Sequence, residues 1–343
     1  MHFLTDFLLT DLQSELEDNG IKPYRAKQIF SWIYQKGCAS FDGMSDLPHE
    51  LREFLKSRYA VTALSIIQKS PSARDRTGKY LFGTEDHQAI EGVYLTENDR
   101  EIVCVSTQVG CPLECSFCAS GRSPFLRNLT AGEMVSEVLL IKNDLKKARI
   151  NNIVFMGMGE PFLNYENVIK TTDILRAHWG LGIGSRKITI STAGHIPGIL
   201  RFAKENTQVR LSVSLHAITD ELRNKLMPIN RKYPVKELVA ALKEYVRISQ
   251  RKVSIVYTLI DGVNDSLENA KRLFHMIRDV THTINLIPLN RTDEFPYQPP
   301  CREKQLAFQK ILIDLGVRTT LRKEKGGDVN AACGQLRLRH LNK

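Results

Sequence analysis

The chain has 343 residues, 42% hydrophobic and 25% charged, with 48 Lys and Arg against 38 Asp and Glu for a formal charge of +10. That composition is ordinary for a globular protein, needs no disulfide staples and holds no apolar run of membrane-span length. It leaves a globular chain long enough for one large domain with an appendage. The basic excess favours an acidic partner, most simply nucleic acid, over a surface that merely happens to be basic.

The N-terminus, Met1-His2-Phe3-Leu4-Thr5-Asp6, lacks a basic stretch followed by an apolar one, so no secretory signal is read there. Residues 1–60 read as a small helical unit. Ala26, Ile29, Phe30 and Ile33 follow helical spacing behind Pro23, and a second helix after Asp46-Leu47-Pro48 shows Leu51, Phe54 and Leu55 on one face. Lys22, Arg25, Lys27 and Lys36 make this unit basic, the mark of an RNA-gripping accessory domain or of a solvated helix face.

Residues 61–96 read as a β-strand extension, with strands at Val61–Ile67, Lys79–Phe82 and Ala89–Leu95; Glu101–Ser106 opens the next unit. Within residues 97–328 strands and helices alternate. Thr130-Ala131-Gly132-Glu133 is a capping box that opens a helix to about Ala148. Strands follow at Asn152–Met156, Lys187–Ser191, Val209–Leu215, Val253–Leu259, Thr283–Ile287 and Val317–Leu321. The helices between them are near Tyr165–Ala177, Pro197–Lys204, Val235–Ser249, Leu267–Asp279 and Glu303–Leu315. About six βα units imply an α/β fold with a parallel sheet, open or curled into a partial barrel, whose ligands sit at strand C-termini. Apolar runs such as Val135–Ile141 are broken by charge well short of a span, so no membrane association is expected. The proline-bearing segment Arg291–Cys301 is a loop and a candidate lid. Residues 329–343 form a C-terminal segment.

There are seven cysteines, an odd number, and three crowd together as Cys111-Pro112-Leu113-Glu114-Cys115-Ser116-Phe117-Cys118. Bunched, odd-numbered cysteines point to a reducing compartment, hence the cytoplasm, and to a metal or redox site. The spacing C-x3-C-x2-C offers three thiolates and no fourth. An iron–sulfur cube takes four ligands, so such a site leaves one iron open for chemistry. A zinc site would need a distant fourth ligand, and no second cysteine pair is present. Cys38 and Cys301 are assigned to structure.

With Phe117 before the third cysteine, this loop resembles the radical S-adenosylmethionine superfamily. Cys104, Met156 to Pro161, Ser214-Leu215-His216, Leu226-Met227-Pro228-Ile229-Asn230 and Cys333 in Ala332-Cys333-Gly334 narrow the resemblance to the RlmN/Cfr family of RNA methyltransferases. The match runs from about Lys22 to Leu336. It implies a partial (β/α)6 barrel in which Cys111, Cys115 and Cys118 hold a [4Fe–4S] cluster. Gly159, Glu160, Ser191, Ser214, Leu215, His216 and Asn290 correspond to the family's contacts to S-adenosyl-L-methionine.

The resemblance also implies a reaction. Cys333 is first methylated. A radical from a second S-adenosylmethionine takes hydrogen from that methyl group, and the carbon adds to adenine. Glu91 is the general base, and Cys104 releases the product, leaving a Cys104–Cys333 disulfide that must be reduced. The implied substrates are adenosine 2503 of 23S rRNA and adenosine 37 of tRNAs, methylated at carbon 2. An electron donor of flavodoxin or ferredoxin type and a monomeric enzyme complete the picture. Alternatives are the family's carbon-8 branch and, from another class, a non-catalytic RNA-binding module built on a metal. Pro161 and Asn285-Leu286-Ile287-Pro288 look more like the carbon-2 branch. By pattern alone, Glu91 would be an outward polar residue on an alternating strand and Cys104 an inert core thiol. The chain departs from the family at Gly92, where Thr or Ser is usual, which predicts a looser strand beside the base.

Overall fold

The computed structural model describes residues 2–147, 149–291 and 295–336. The first unit holds β1 (His2–Phe3), α1 (Leu9–Asp18), α2 (Arg25–Phe30), which runs on into a π turn at Ser31–Gln35, α3 (His49–Arg58) and β2 (Tyr59–Ala60), which pairs in parallel with β1. Ala26, Ile29, Phe30 and Ile33 are buried, as their spacing required. The unit is tied to the rest of the chain by Asp6, whose carboxylate accepts from the Gly132 N–H at 2.6 Å, and by Phe30, which stacks on Trp179 at 5.0 Å.

The remaining strands begin with β3 (Leu64–Pro71), β4 (Thr77–Thr84), β5 (Ala89–Glu97) and β6 (Arg100–Cys104). These four are antiparallel neighbours. The β5–β6 turn uses Asn98 and Asp99, both with positive φ (47° and 57°), the backbone a two-residue hairpin demands. A short ladder of β7 (Gln108–Val109) with β8 (Arg127–Asn128) brackets the cysteine loop. Then come α4 (Ala131–Asp144), β9 (Asn152–Phe155), α5 (Tyr165–Arg176), β10 (Ile188–Thr192), α6 (Ile196–Ala203) and β11 (Arg210–Ser214). These are followed by α7 (Asp220–Leu226), α8 (Val235–Ser249), β12 (Val253–Leu259), α9 (Leu267–Ile277), β13 (His282–Pro288), α10 (Arg302–Asp314) and β14 (Thr319–Leu321).

One ten-stranded sheet runs in the order β14-β13-β12-β11-β10-β9-β6-β5-β4-β3. From β6 to β14 every pair is parallel. Each βα crossover therefore steps one strand along in the same direction, as right-handed connections do, and the strand C-termini gather at one end. Among the described residues β14 and β3 have no partner strand on their outer sides, so the six βα units make a partial barrel, and the extension is the same sheet continued. The capping box of α4 is formed as expected: Thr130 Oγ1 accepts from Glu133 N at 3.1 Å, and Glu133 Oε2 from Thr130 N at 2.8 Å. The first extension strand starts later than the expected Val61–Ile67, because Val61 and Ala63 are buried and the Ala63 N–H is taken by Ser136 Oγ at 2.9 Å.

Candidate active site

The cysteine loop leaves the C-terminal end of β6 and folds against the far end of the chain. Ala119 N donates to Gly334 O at 2.7 Å, and Ser120 Oγ donates to Leu336 O at 2.8 Å. Asn290, just beyond β13, donates to Cys333 O at 2.9 Å. The C-terminal segment is thus laced to the loop through its backbone, and Cys333 is brought to the cluster loop.

Cys111, Cys115 and Cys118 line one open cavity together with Gly159, Glu160, Ser191, Ser214, His216, Asn290 and Cys333. A second cavity adjoins it and shares Cys118, Asn290 and Cys333; Cys104, Val93, Leu95 and Met156 also line it. Both lie at the C-terminal ends of the parallel strands, where βα folds put their chemistry. Leu215 lies in the core instead of the cavity, because alternation along β11 aims Ser214 and His216 at the space and Leu215 away from it.

Burial dominates the electrostatics. It pushes the Cys111 thiol up to about 12, aided by the neighbouring Cys118, and lifts Cys115 and Cys118 as well. Three buried neighbouring thiols cannot all ionise without a cation among them. An all-sulfur set of three, opening on a large cavity, fits a [4Fe–4S] cluster with one iron left for a ligand.

Glu160 is 1% exposed and burial raises it to about 6, against hydrogen bonds from Ala193 N at 2.7 Å and Phe162 N at 3.1 Å. Gly159 has φ +99°, and a Cβ there would come within 2.6 Å of the Gln108 side chain. Burial lowers His216 to about 3, with Arg223 also acting on it. Its Nδ1 accepts from Thr258 N at 2.9 Å, which makes the ring neutral with its proton on Nε2, and Phe117 packs edge-on at 5.0 Å.

Glu91 is 2% exposed, not outward, and Lys79 Nζ sits 3.0 Å from its carboxylate. It shares a strand face with Val93 and Leu95 but lines a separate cavity with Val329 and Asn330. Cys104 is 8% exposed; burial raises its pKa, as do the nearby Cys333 and Glu137. All seven cysteines are free thiols, so the expected Cys104–Cys333 disulfide is not part of this fold; Cys104 is buried and Cys333 exposed, and both line the second cavity.

Several site residues escaped sequence reasoning. Arg223 on the unforeseen α7 is fully buried and donates to the carbonyls of Ala193, Ser214 and Leu215 and to Asn230 Oδ1. It locks the ends of β10 and β11, and it explains Asn230 in the Met227-Pro228-Ile229-Asn230 motif. Glu137 on α4 is also fully buried, held by Ser106 N at 3.2 Å to both oxygens. A Cβ on Gly92 would meet Glu137 Oε2 at 2.8 Å and Phe82 at 2.9 Å. Gly92 therefore tightens the strand beside Glu91 against α4, contrary to the looseness its composition suggested.

A Radical SAM superfamily model matches residues 105–288, and the model of the ribosomal RNA large subunit methyltransferase N-terminal domain matches residues 3–61. The fold and the three-cysteine cavity define a radical S-adenosylmethionine methyltransferase. A radical SAM methyltransferase from Sphaerobacter thermophilus superposes with TM-score 0.95 at 45% identity, covering 98% of this chain and 99% of its own. Probable dual-specificity RNA methyltransferases RlmN from Thermoanaerobacter sp. (strain X514) and Thermotoga maritima are 46% and 44% identical, each over 99% of both chains. The chain belongs to the RlmN family, a family of radical S-adenosylmethionine RNA methyltransferases, and its cofactors are a [4Fe–4S] cluster and S-adenosylmethionine.

Gly92→Thr is expected to lower the unfolding free energy by about 1–3 kcal/mol through overpacking. Denaturant midpoints would read the effect, and it should shrink in a Glu137→Ala background, where the colliding carboxyl is gone. Equal losses in both backgrounds would show that Glu137 is not the neighbour that demands glycine.

Proposed function

We propose that this enzyme methylates carbon 2 of one adenosine in 23S rRNA and in tRNAs, with Cys333 as the sulfur that carries the carbon. The observation that supports this best is the seam at Ala119 and Gly334, which sets Cys333 in the same two cavities as Cys118, with Cys104 across the second. Carbon 2 of adenine is electron-poor and has no lone pair for a methyl cation, so polar transfer lacks a nucleophile. When bound, the cluster and S-adenosylmethionine supply a carbon radical that can take hydrogen from a methyl group on sulfur.

The chain's residues do the rest. Cys111, Cys115 and Cys118 would hold the cluster as thiolates. Glu160 would accept from the amino group of S-adenosylmethionine, with Gly159 letting the backbone approach, while Ser191, Ser214, His216 and Asn290 line the same space. Glu91 would take the proton from carbon 2; its burial and its strand face support that role, and Lys79 compensates its charge. Cys104 would then attack the Cys333 sulfur. An S–S bond forms as the carbon–sulfur bond breaks, the released carbon takes a proton to become the methyl group, and the one electron left over from the radical addition would be returned to the bound cluster. The disulfide is a product of turnover, reopened by a reductant.

The N-terminal unit supports RNA binding through exposed Lys22, Lys27 and Lys36, with Lys36 over Trp32 at 3.3 Å and Arg25 over Tyr24 at 5.0 Å. On this reading the chain divides into 1–60 for RNA, 61–96 as extension, 97–328 as core and 329–343 as the carrier segment, of which 337–343 lie outside the described residues. Among the described residues no helix is long and apolar enough to cross a membrane. A cytoplasmic monomer reduced by a flavodoxin- or ferredoxin-like protein completes the reading.

Nucleoside mass spectrometry of rRNA and tRNA from cells with and without this protein should show 2-methyladenosine only in its presence. An 8-methyl product, or no difference, would reject the reading. Cys104→Ala should leave RNA covalently attached to the protein, visible as a slower band on a denaturing gel, and a variant that turns over freely would remove Cys104 from the release step. Affinity for S-adenosylmethionine should weaken as pH falls through about 6. There Glu160 gains a proton and loses its acceptor charge, with about a tenfold loss per further unit. Equilibrium binding to reconstituted protein between pH 5 and 8 would check this, and a flat profile would free Glu160 from that contact.

A further inference from the structure

The second cavity extends from Cys104 over a floor of Val93, Leu95 and Met156 toward Lys323 at its outer edge. Its lining carries three cations, Arg322, Lys323 and Lys325, and the carboxylates of Glu97 and Glu324, with Lys325 Nζ donating to Thr96 O. Arg322 follows β14, and its backbone N–H donates to Leu286 O at 2.9 Å, which fixes the residue at the ligand-bearing end of the sheet. Its side chain lines both cavities, as Cys333 does, and its charge acts on the Cys104 thiol.

Among the described residues the Arg322 guanidinium has neither a carboxylate at ion-pair distance nor a hydrogen-bond acceptor. Two other arginines show how a structural guanidinium is treated in this protein. Arg223 donates to four acceptors, and Arg251 donates to Val209 O at 3.2 Å and Phe202 O at 2.6 Å. Arg322 is partly buried, carries five N–H donors and faces open space beside the two reacting sulfurs. A half-desolvated cation with idle donors needs an acceptor from whatever fills the cavity.

Resting on the functional reading above, we propose that Arg322 contacts the substrate, donating to a ring nitrogen that flanks carbon 2 of the target adenine. The apolar floor suits the flat face of a base, and the acceptors beside carbon 2 are N1 and N3. A carbon radical next to sulfur is electron-rich and adds to an electron-poor carbon. The addition makes one carbon–carbon bond and moves electron density onto the flanking nitrogens, where a fixed cation stabilises it. No bond to Arg322 is made or broken. The same contact turns carbon 2, not carbon 8, toward Cys333.

The test compares wild type, Arg322→Gln and Arg322→Lys on an RNA oligonucleotide whose target is adenosine, 1-deazaadenosine, 3-deazaadenosine or 7-deazaadenosine. Methylation of Cys333 and affinity for RNA are measured alongside. Arg322→Gln is expected to slow carbon-2 methylation about 100-fold, with Arg322→Lys between. Cys333 methylation and RNA affinity should stay as in wild type. One of the 1-deaza and 3-deaza substrates should slow wild type by a similar factor and lose nothing further with Arg322→Gln, because both changes delete the same contact. The 7-deaza substrate should behave as adenosine. Losses that multiply for both the 1-deaza and 3-deaza substrates, or a parallel fall in Cys333 methylation, would overturn the assignment. Undiminished carbon-2 methylation by Arg322→Gln would overturn it alone, whereas a wild-type product methylated elsewhere would overturn the functional reading itself.

Discussion

The backbone pairing of the C-terminal segment with the cysteine loop is the constraint on which the rest of the site depends. Ala119 N to Gly334 O and Ser120 Oγ to Leu336 O join residues as much as 216 positions apart. Each such bond contributes only about 0.5–1.5 kcal/mol. Their effect is geometric: they bring one sulfur from the tail into a space already lined by three from the loop, and Asn290 holds the peptide that carries it. Cys333 itself stays exposed, but its place beside the loop is set by these bonds. With them it joins two cavities, one suited to the cofactors and one to a base.

That arrangement rests on a sheet whose strands advance one at a time, so that six loops end on one rim. Loops alone would be too soft to hold a radical reaction in register. The stiffening comes from charges taken out of water and fully used. Arg223 spends its donors on the carbonyls that end β10 and β11, and Glu137 grips the Ser106 N–H beneath the strand that carries Cys104. Ser106 Oγ in turn donates to Glu91 O and accepts from Met158 N, tying the extension to the glycine-rich turn. A buried polar group without partners is costly, so each of these networks has few alternative geometries.

Much of the fold was legible because periodicity records burial. α8 and β12 occur at the bounds their patterns predicted, and the α4 capping box formed as written. The cysteine loop was legible because its spacing has few other uses. Glu91 was misjudged by pattern: an acid between apolar neighbours reads as outward, and nothing local announces the β4 lysine that compensates it. Gly92 was misjudged for a similar reason, since glycine in a strand suggests looseness unless the carboxyl packed against it is known. α7 and its Arg223 were missed because a short polar helix has too few apolar positions to show a period.

The amino-acid sequence by itself determined the order of strands and helices, the three-thiol loop and the family, because these follow from local spacing and residue chemistry. Only the tertiary structure decided that Cys333 meets the loop, that Glu91 is buried, that Leu215 faces the core, and that Arg322 lines two cavities without a side-chain partner among the described residues. Such facts depend on which distant segments share a volume, and burial, charge and hydrogen-bond supply are properties of that volume, not of any stretch of chain.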